Sequence, residues 1–364
     1  MREEQGKGEA RGVEGGGRVA AEDEGDVEKK MTKEECIDCI HQVQQKRPGG
    51  HHECEILWGR EHQTVVSDYK WKNCKKNPGH EQFISAKDFK DNYLSRLQTG
   101  KRGKELRAMI DLTVRLRVSR TSQDRPDDDE LAKIRGSNAL RLGTGFIRGV
   151  RDPLYNKPCP CNECEGKVTR KHWRFYVQTA LHVLFNTEEA KRTKVDMFYD
   201  DIDCIGDGRM KTVWGLEVVE STLNRDFSSI LCVTHDDDLG ERIKSAWHCW
   251  DDNEIKPQDL SHLDLLPSWE RQCDPALIIS HPHGQPKKIT VGEVQHLVEN
   301  NPLVKYNTAT CAGSSGAPVF VIYQCIEKFR YLEWFAPVHC GSYTEASIGK
   351  KSVQEQLNYG YEIW

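Results

Sequence analysis

The chain has 364 residues, room for two or three domains, with 52 Lys and Arg against 57 Asp and Glu and a formal charge of −5. That near balance gives no overall electrostatic footprint for nucleic acid, and no apolar run reaches the roughly 18 residues of a membrane helix. Met1–Gly6 lacks the apolar stretch of a secretory signal. The expectation is an intracellular protein, cytoplasmic or nuclear, whose 14 cysteines are mostly reduced.

Residues 1–30 are rich in Gly, Glu and Lys and read as a disordered tail. Residues 31–136 read as a Cys/His-containing, helical N-terminal region. Thr32-Lys33-Glu34-Glu35 is a capping box that opens a helix carrying Cys36, Ile40 and Val43 on one face. Cys36, Cys39, His41, His51, His52, Cys54, Cys74 and His80 include enough thiols and imidazoles for a zinc site. An amphipathic helix with buried thiols accounts for the same residues. Phe83, Phe89, Tyr93, Leu94 and Leu97 make one helical face, which Gly100 ends. Lys104–Val118 reads as a basic amphipathic helix, with the end at Arg117-Val118-Ser119 already extended, and residues 126–135 as a polar linker.

From Ser137 the pattern turns to strands. Ala139–Val150, Trp173–Leu184, Lys194–Tyr199, Met210–Val219 and Ser228–Thr234 form one set. Ala276–Ser280, Ile289–Val298, Leu303–Thr308, Val319–Gln324 and Tyr331–His339 form another, beyond a charged connector at about 237–270. A helix is expected over Glu345–Trp364. Short strands broken by turns indicate an all-β barrel or sandwich. Within the first set, Cys159-Pro160-Cys161-Asn162-Glu163-Cys164 packs three thiols into one insertion. A structural zinc there would take a fourth ligand such as His172 or Cys204, although the spacing is not a standard one.

Two segments carry chemistry. Gly313-Ser314-Ser315-Gly316-Ala317-Pro318 is a Gly/Ser loop before a strand, and Thr179-Ala180-Leu181-His182 ends a strand far upstream. Together they resemble the two signatures of trypsin/chymotrypsin-like serine proteases. Arg141-Leu142-Gly143-Thr144-Gly145-Phe146 resembles the first strand of the HtrA-like, non-zymogen members, and Ser280-His281-Pro282-His283-Gly284 resembles a turn of their second barrel. The resemblance covers residues 137–345. It implies a mainly β fold, a double six-stranded antiparallel β-barrel in a protease domain over 137–364. Barrel one would span about 137–236 and barrel two about 270–345.

The resemblance also implies roles. Ser315 would be the nucleophile, His182 the general base and Asp226, just before an apolar strand, the orienting acid. Asp196, Asp200, Asp201, Asp203 and Asp236–Asp238 are rivals that read more simply as solvated turns. The backbone N–H groups of Gly313 and Ser315 would form the oxyanion hole. Substrate would meet Ala309, six residues before the serine, together with His339 and Gly341 on a strand that pairs with peptide backbone. Ala309 carries no charge, which favours an apolar or aromatic preference. Ser314 replaces the acid that secreted relatives use for zymogen activation. Cys311 stands where those relatives carry a disulfide cysteine and Cys340 is its potential partner, but free thiols are expected. The expected activity is a serine endopeptidase acting on protein or peptide substrates, with no cofactor required for catalysis. The alternative is a protease-fold peptide-binding or zinc-dependent interaction protein without turnover.

Overall fold

The computed structural model describes residues 51–58, 63–94, 101–251, 275–297, 303–322, 334–335, 337–346 and 354–361. The expected tail, the capping box, Cys36, Cys39 and His41 lie outside them.

Sixteen strands are formed by the described residues. They are β1 (His51–His52), β2 (Glu55–Leu57), β3 (Ile84–Ser85), β4 (Thr113–Val118), β5 (Leu140–Pro158), β6 (Val168–Ala180), β7 (Thr193–Met197) and β8 (Lys211–Thr222). Then come β9 (Phe227–Thr234), β10 (Pro275–Ser280), β11 (Lys288–Leu297), β12 (Leu303–Tyr306), β13 (Val319–Ile322), β14 (Trp334–Phe335), β15 (Val338–Ala346) and β16 (Gln354–Tyr361). Among the helices that accompany them are α1 (Gln63–Lys72), α2 (Lys101–Leu112), α3 (Thr187–Lys191) and α4 (Asp237–Asp251). No described helix is long and apolar enough to cross a membrane.

The chain is mainly β, in two antiparallel sheets. The first runs β2-β5-β4-β7-β8-β9-β6, and β5 also pairs with β6, so six strands close into a ring with β2 on the rim. Closure follows from burial. β6 turns Trp173, Phe175 and Val177 into the core, and β9 is buried at every position. The second sheet runs β1-β15-β16-β12-β11-β10-β13-β14, with β3 on β11. A single bridge between Pro318 and Val338 joins β13 to β15. This is looser than the expected pair of six-stranded barrels. One core cluster spans both sheets, and the Phe146 ring meets Phe320 edge-on at 5.6 Å.

Three expectations are corrected. The helix expected over Lys104–Val118 stops at Leu112, and Thr113–Val118 is a strand between β5 and β7. Its β-branched and apolar residues alternate with Arg115 and Arg117, which pair with buried Asp196. The first sheet therefore begins well before residue 137, and β1 and β2 carry residues 51–57 into both sheets. The C-terminal segment contributes strand β16 between β12 and β15, where a helix was expected. The connector holds helix α4, opened by Asp237 and Asp238 in its first turn, where acidic side chains favour the helix dipole.

Candidate active site

His182 lies two residues beyond β6 and Asp226 directly before β9, and these strands pair from Trp173–Thr234 to Ala180–Phe227. The register brings the two side chains together. Asp226 adopts the left-handed conformation (φ 47°), which Asp tolerates better than most residues. Its carbonyl accepts the Leu181 N–H at 2.9 Å, and its Oδ1 accepts the His182 N–H at 2.9 Å. Asp226 Oδ2 lies 2.6 Å from His182 Nδ1, and His182 Nε2 lies 2.7 Å from Ser315 Oγ. Burial holds the imidazole below its ordinary value despite the adjacent carboxylate. Burial alone would raise the Asp226 carboxyl, but the His182 ring and its hydrogen bonds keep it well below the usual range.

A buried ion cluster supports the histidine. Glu189, on α3, pairs with Arg125 at 2.7 Å and Arg141 at 2.7 Å. Arg125 donates to the His182 carbonyl at 3.1 Å and Arg141 to the Val183 carbonyl at 3.3 Å. The backbone of the His182 turn is thereby fixed from below.

The Ser315 loop crosses from the second sheet to touch the first. Ser315 O accepts the Thr144 N–H at 2.8 Å, and Thr144 Oγ1 donates to Gly313 O at 2.8 Å. Gly313 (φ 94°) and Gly316 (φ 87°) take conformations that a side chain would strain. A Cβ on Gly316 would stand 2.1 Å from Thr144 O. This turn aims the N–H groups of Gly313 and Ser315 at one point.

That point is occupied by the chain itself. Gly313 N and Ser315 N donate to the Glu53 carbonyl at 2.6 and 3.3 Å. β1 pairs with β15, His52 opposite Gly341, and the Glu53 N–H donates to Cys340 O at 3.2 Å. The His52 ring stacks on His182 at 3.9 Å. The Glu53 side chain is buried. Lys76 Nζ pairs with its Oε1, and its Oε2 lies 2.9 Å from His339 Nε2. Tyr306 Oη lies 2.7 Å from His339 Nδ1, and Lys76 also reaches Thr310 Oγ1 and Asn358 Oδ1. Burial alone would raise the Glu53 carboxyl, yet the Lys76 charge and the His339 hydrogen bond hold it far below the ordinary range.

The structure thus brings together His182, Asp226, Ser315, Gly313, His339 and Gly341. Ala309 packs with Phe83 and Cys311. The rival acids are engaged elsewhere: Asp196 with Arg115 and Arg117, Asp200 with Lys90 and Lys287, Asp201 with Arg209. Asp196 is fully buried, not a solvated turn. Cys311 and Cys340 are free thiols, and Cys311 Sγ lies 3.6 Å from Cys74 Sγ.

Cys159, Cys161 and Cys164 sit at the tip of the β5–β6 hairpin. Their Sγ atoms lie 3.4, 3.5 and 3.4 Å from His235 Nε2. A tetrahedral zinc with bonds of about 2.3 Å to sulfur and about 2.0 Å to nitrogen needs S···N separations of roughly 3.5 Å. The His235 Nδ1 is 3.1 Å from Lys171 O, the outer contact that fixes a ligating ring. The fourth residue of this cluster is His235. His172 bonds Thr169, and Cys204 lies buried in the turn Ile202–Ile205. His235 follows β9, and only the β6–β9 register places it there.

No protein-family model matches this chain, and no curated protein matches it. Its structural neighbours are HtrA-type proteases. It is similar to the structure of an HtrA-type protease, AlgW, with tripeptide: TM-score 0.33, 13% identity, 72% of this chain and 60% of that chain covered. A structure of a substituted AlgW variant with tripeptide gives a TM-score of 0.32, with the same identity and coverage. The chain spans about 60% of the length of these neighbours.

Proposed function

We propose that this chain is a serine endopeptidase that cleaves peptide bonds through Ser315, His182 and Asp226. The reading rests on one observation: a continuous chain of contacts from Asp226 Oδ2 through the imidazole to Ser315 Oγ, at 2.6 and 2.7 Å, beside two converging backbone N–H groups. Ser315 Oγ attacks the scissile carbonyl while His182 Nε2 takes its proton. Asp226 holds the tautomer with hydrogen on Nδ1 and stabilises the imidazolium that forms. The Gly313 and Ser315 N–H groups receive the oxyanion. His182 then gives the proton to the leaving amine, and water hydrolyses the acyl-enzyme by the reverse sequence. Substrate backbone would add as a strand to β15 at Gly341. The experiment is hydrolysis of fluorogenic peptides by the full chain and by Ser315→Ala. Turnover lost by at least about 10³-fold in the variant supports the reading; equal turnover in both sinks it.

Catalysis needs no metal in this scheme. We further propose that Cys159, Cys161, Cys164 and His235 hold a structural zinc that stiffens the hairpin tip, since four protein donors leave no open position.

A further inference from the structure

The residue in the specificity pocket belongs to the enzyme. Resting on the protease reading above, we propose that residues 51–57 are the enzyme's own substrate, that the Glu53–Cys54 bond is cut in the same chain, and that the pocket selects glutamate. Each part of a bound peptide is present. β1 pairs antiparallel with β15 on the side before the bond. The Glu53 carbonyl fills the oxyanion hole. β2 pairs antiparallel with β5 after the bond, Glu55 opposite Leu142.

The pocket chemistry is specific. A buried carboxylate requires compensation. Here the compensation is an ammonium from Lys76 and a ring nitrogen from His339, itself contacted by Tyr306 Oη. Thr310 and Asn358 hold the ammonium in place. A neutral or cationic side chain would leave Lys76 without its buried counter-ion.

The step balances. Ser315 Oγ bonds to the Glu53 carbonyl carbon, and the Glu53–Cys54 C–N bond breaks. The serine proton passes through His182 Nε2 to the Cys54 amine. Water then releases the Glu53 carboxylate and restores Ser315. Residues 1–53 are freed, and β2 keeps the new N-terminus at Cys54 on β5. Departure of β1 clears the groove for other glutamate-containing peptides.

The test is intact-mass and N-terminal analysis of the purified full chain over time. Fragments 1–53 and 54–364 are expected, the fraction cut per unit time being independent of protein concentration. Ser315→Ala should slow their appearance at least about 10³-fold, and Glu53→Lys at least about 100-fold. A chain that hydrolyses fluorogenic peptides but stays intact at Glu53–Cys54 would overturn self-cleavage while leaving the protease reading standing. A fraction cut per unit time that rises in proportion to protein concentration would overturn cleavage within one chain. A chain that neither cuts itself nor hydrolyses any peptide would overturn both readings.

A different observation carries a second proposal. The structure assigns a zinc site to Cys74, His80, His283 and Cys311, whose donor atoms all lie within 4.8 Å of one another. Cys311 Sγ is 3.6 Å from Cys74 Sγ and 3.4 Å from His80 Nε2. Those are the separations of adjacent ligands on a tetrahedral zinc, roughly 3.5–3.8 Å. The His283 side chain faces the Cys74 thiol, while its Nδ1 meets Glu55 Oε2 at 2.7 Å, the carboxylate–histidine pairing of metal sites. The Trp71 ring stacks on His80 at 3.5 Å, and Asn77 Nδ2 donates to Cys311 Sγ at 3.1 Å. The site would join the segment after α1 to the loop bearing Gly313 and Ser315, because His283 N donates to Ala312 O.

Elemental analysis of the full chain is expected to lose one zinc per chain in Cys74→Ser. In the wild type, iodoacetamide should modify Cys74 and Cys311 at least about tenfold faster after chelation. An unchanged zinc count in the variant, chelator-independent modification, or a Cys74–Cys311 disulfide in the mass spectrum would each overturn the site.

Discussion

Asp226→Asn is expected to lower kcat by about 10⁴-fold on a fluorogenic peptide, with KM changed only a few-fold. An asparagine oxygen can still accept the His182 N–H that Asp226 Oδ1 accepts at 2.9 Å, so the turn keeps its shape. The amide NH₂, or an oxygen without full charge, now faces Nδ1. The tautomer with hydrogen on Nε2 then gains ground, and that hydrogen points at Ser315, whose proton the ring must accept. The imidazolium also loses its counter-charge. The proposed substrate contacts at Gly341, His339 and the Gly313 and Ser315 N–H groups do not involve Asp226, which is why KM is expected to change little. A kcat within tenfold of wild type would remove Asp226 from the machinery.

Glu189→Ala is expected to lower folding stability by about 3–5 kcal/mol, measured by denaturant unfolding at pH 7. The loss comes from what remains. Arg125 and Arg141 are both fully buried, and Glu189 is the carboxylate they share. Burial would raise the Glu189 carboxyl, but the two guanidinium groups pull it down to about 2 from an ordinary 4.5. A carboxylate lowered on folding contributes stability above its unfolded value and loses it as pH falls through the folded one. The gap between wild type and variant should therefore be full above about pH 4.5 and narrow toward pH 2. Because Arg125 and Arg141 also hold the His182 and Val183 carbonyls, activity should fall with stability.

The three side chains that meet at the candidate site sit in segments the sequence makes conspicuous: a Gly-rich turn before a strand, a His after a strand, and an Asp before an apolar run. These are local features, readable one segment at a time. What was not legible depends on register. His235 joins the Cys159 hairpin only because β6 pairs with β9. The start of Thr113–Val118 looked helical because Val114 and Leu116 continue the apolar spacing of α2, and only Asp196 on β7 explains why Arg115 and Arg117 alternate with apolar residues. The meeting of Lys76 and His339 around the Glu53 carboxylate was not legible either, because the three residues come from segments far apart in sequence. The strand at Gln354–Tyr361 was missed because its neighbours β12 and β15 are distant in sequence.

The most direct test of the account is labelling of the full chain by a fluorophosphonate, followed by mapping of the adduct, on wild type, Ser315→Ala and Glu53→Gly. The last variant keeps the groove occupant's own anchor from shielding the serine. The account predicts one phosphonyl group on Ser315 in wild type and Glu53→Gly, and none in Ser315→Ala. A folded Glu53→Gly chain that stays unlabelled, or an adduct that persists in Ser315→Ala, would contradict it.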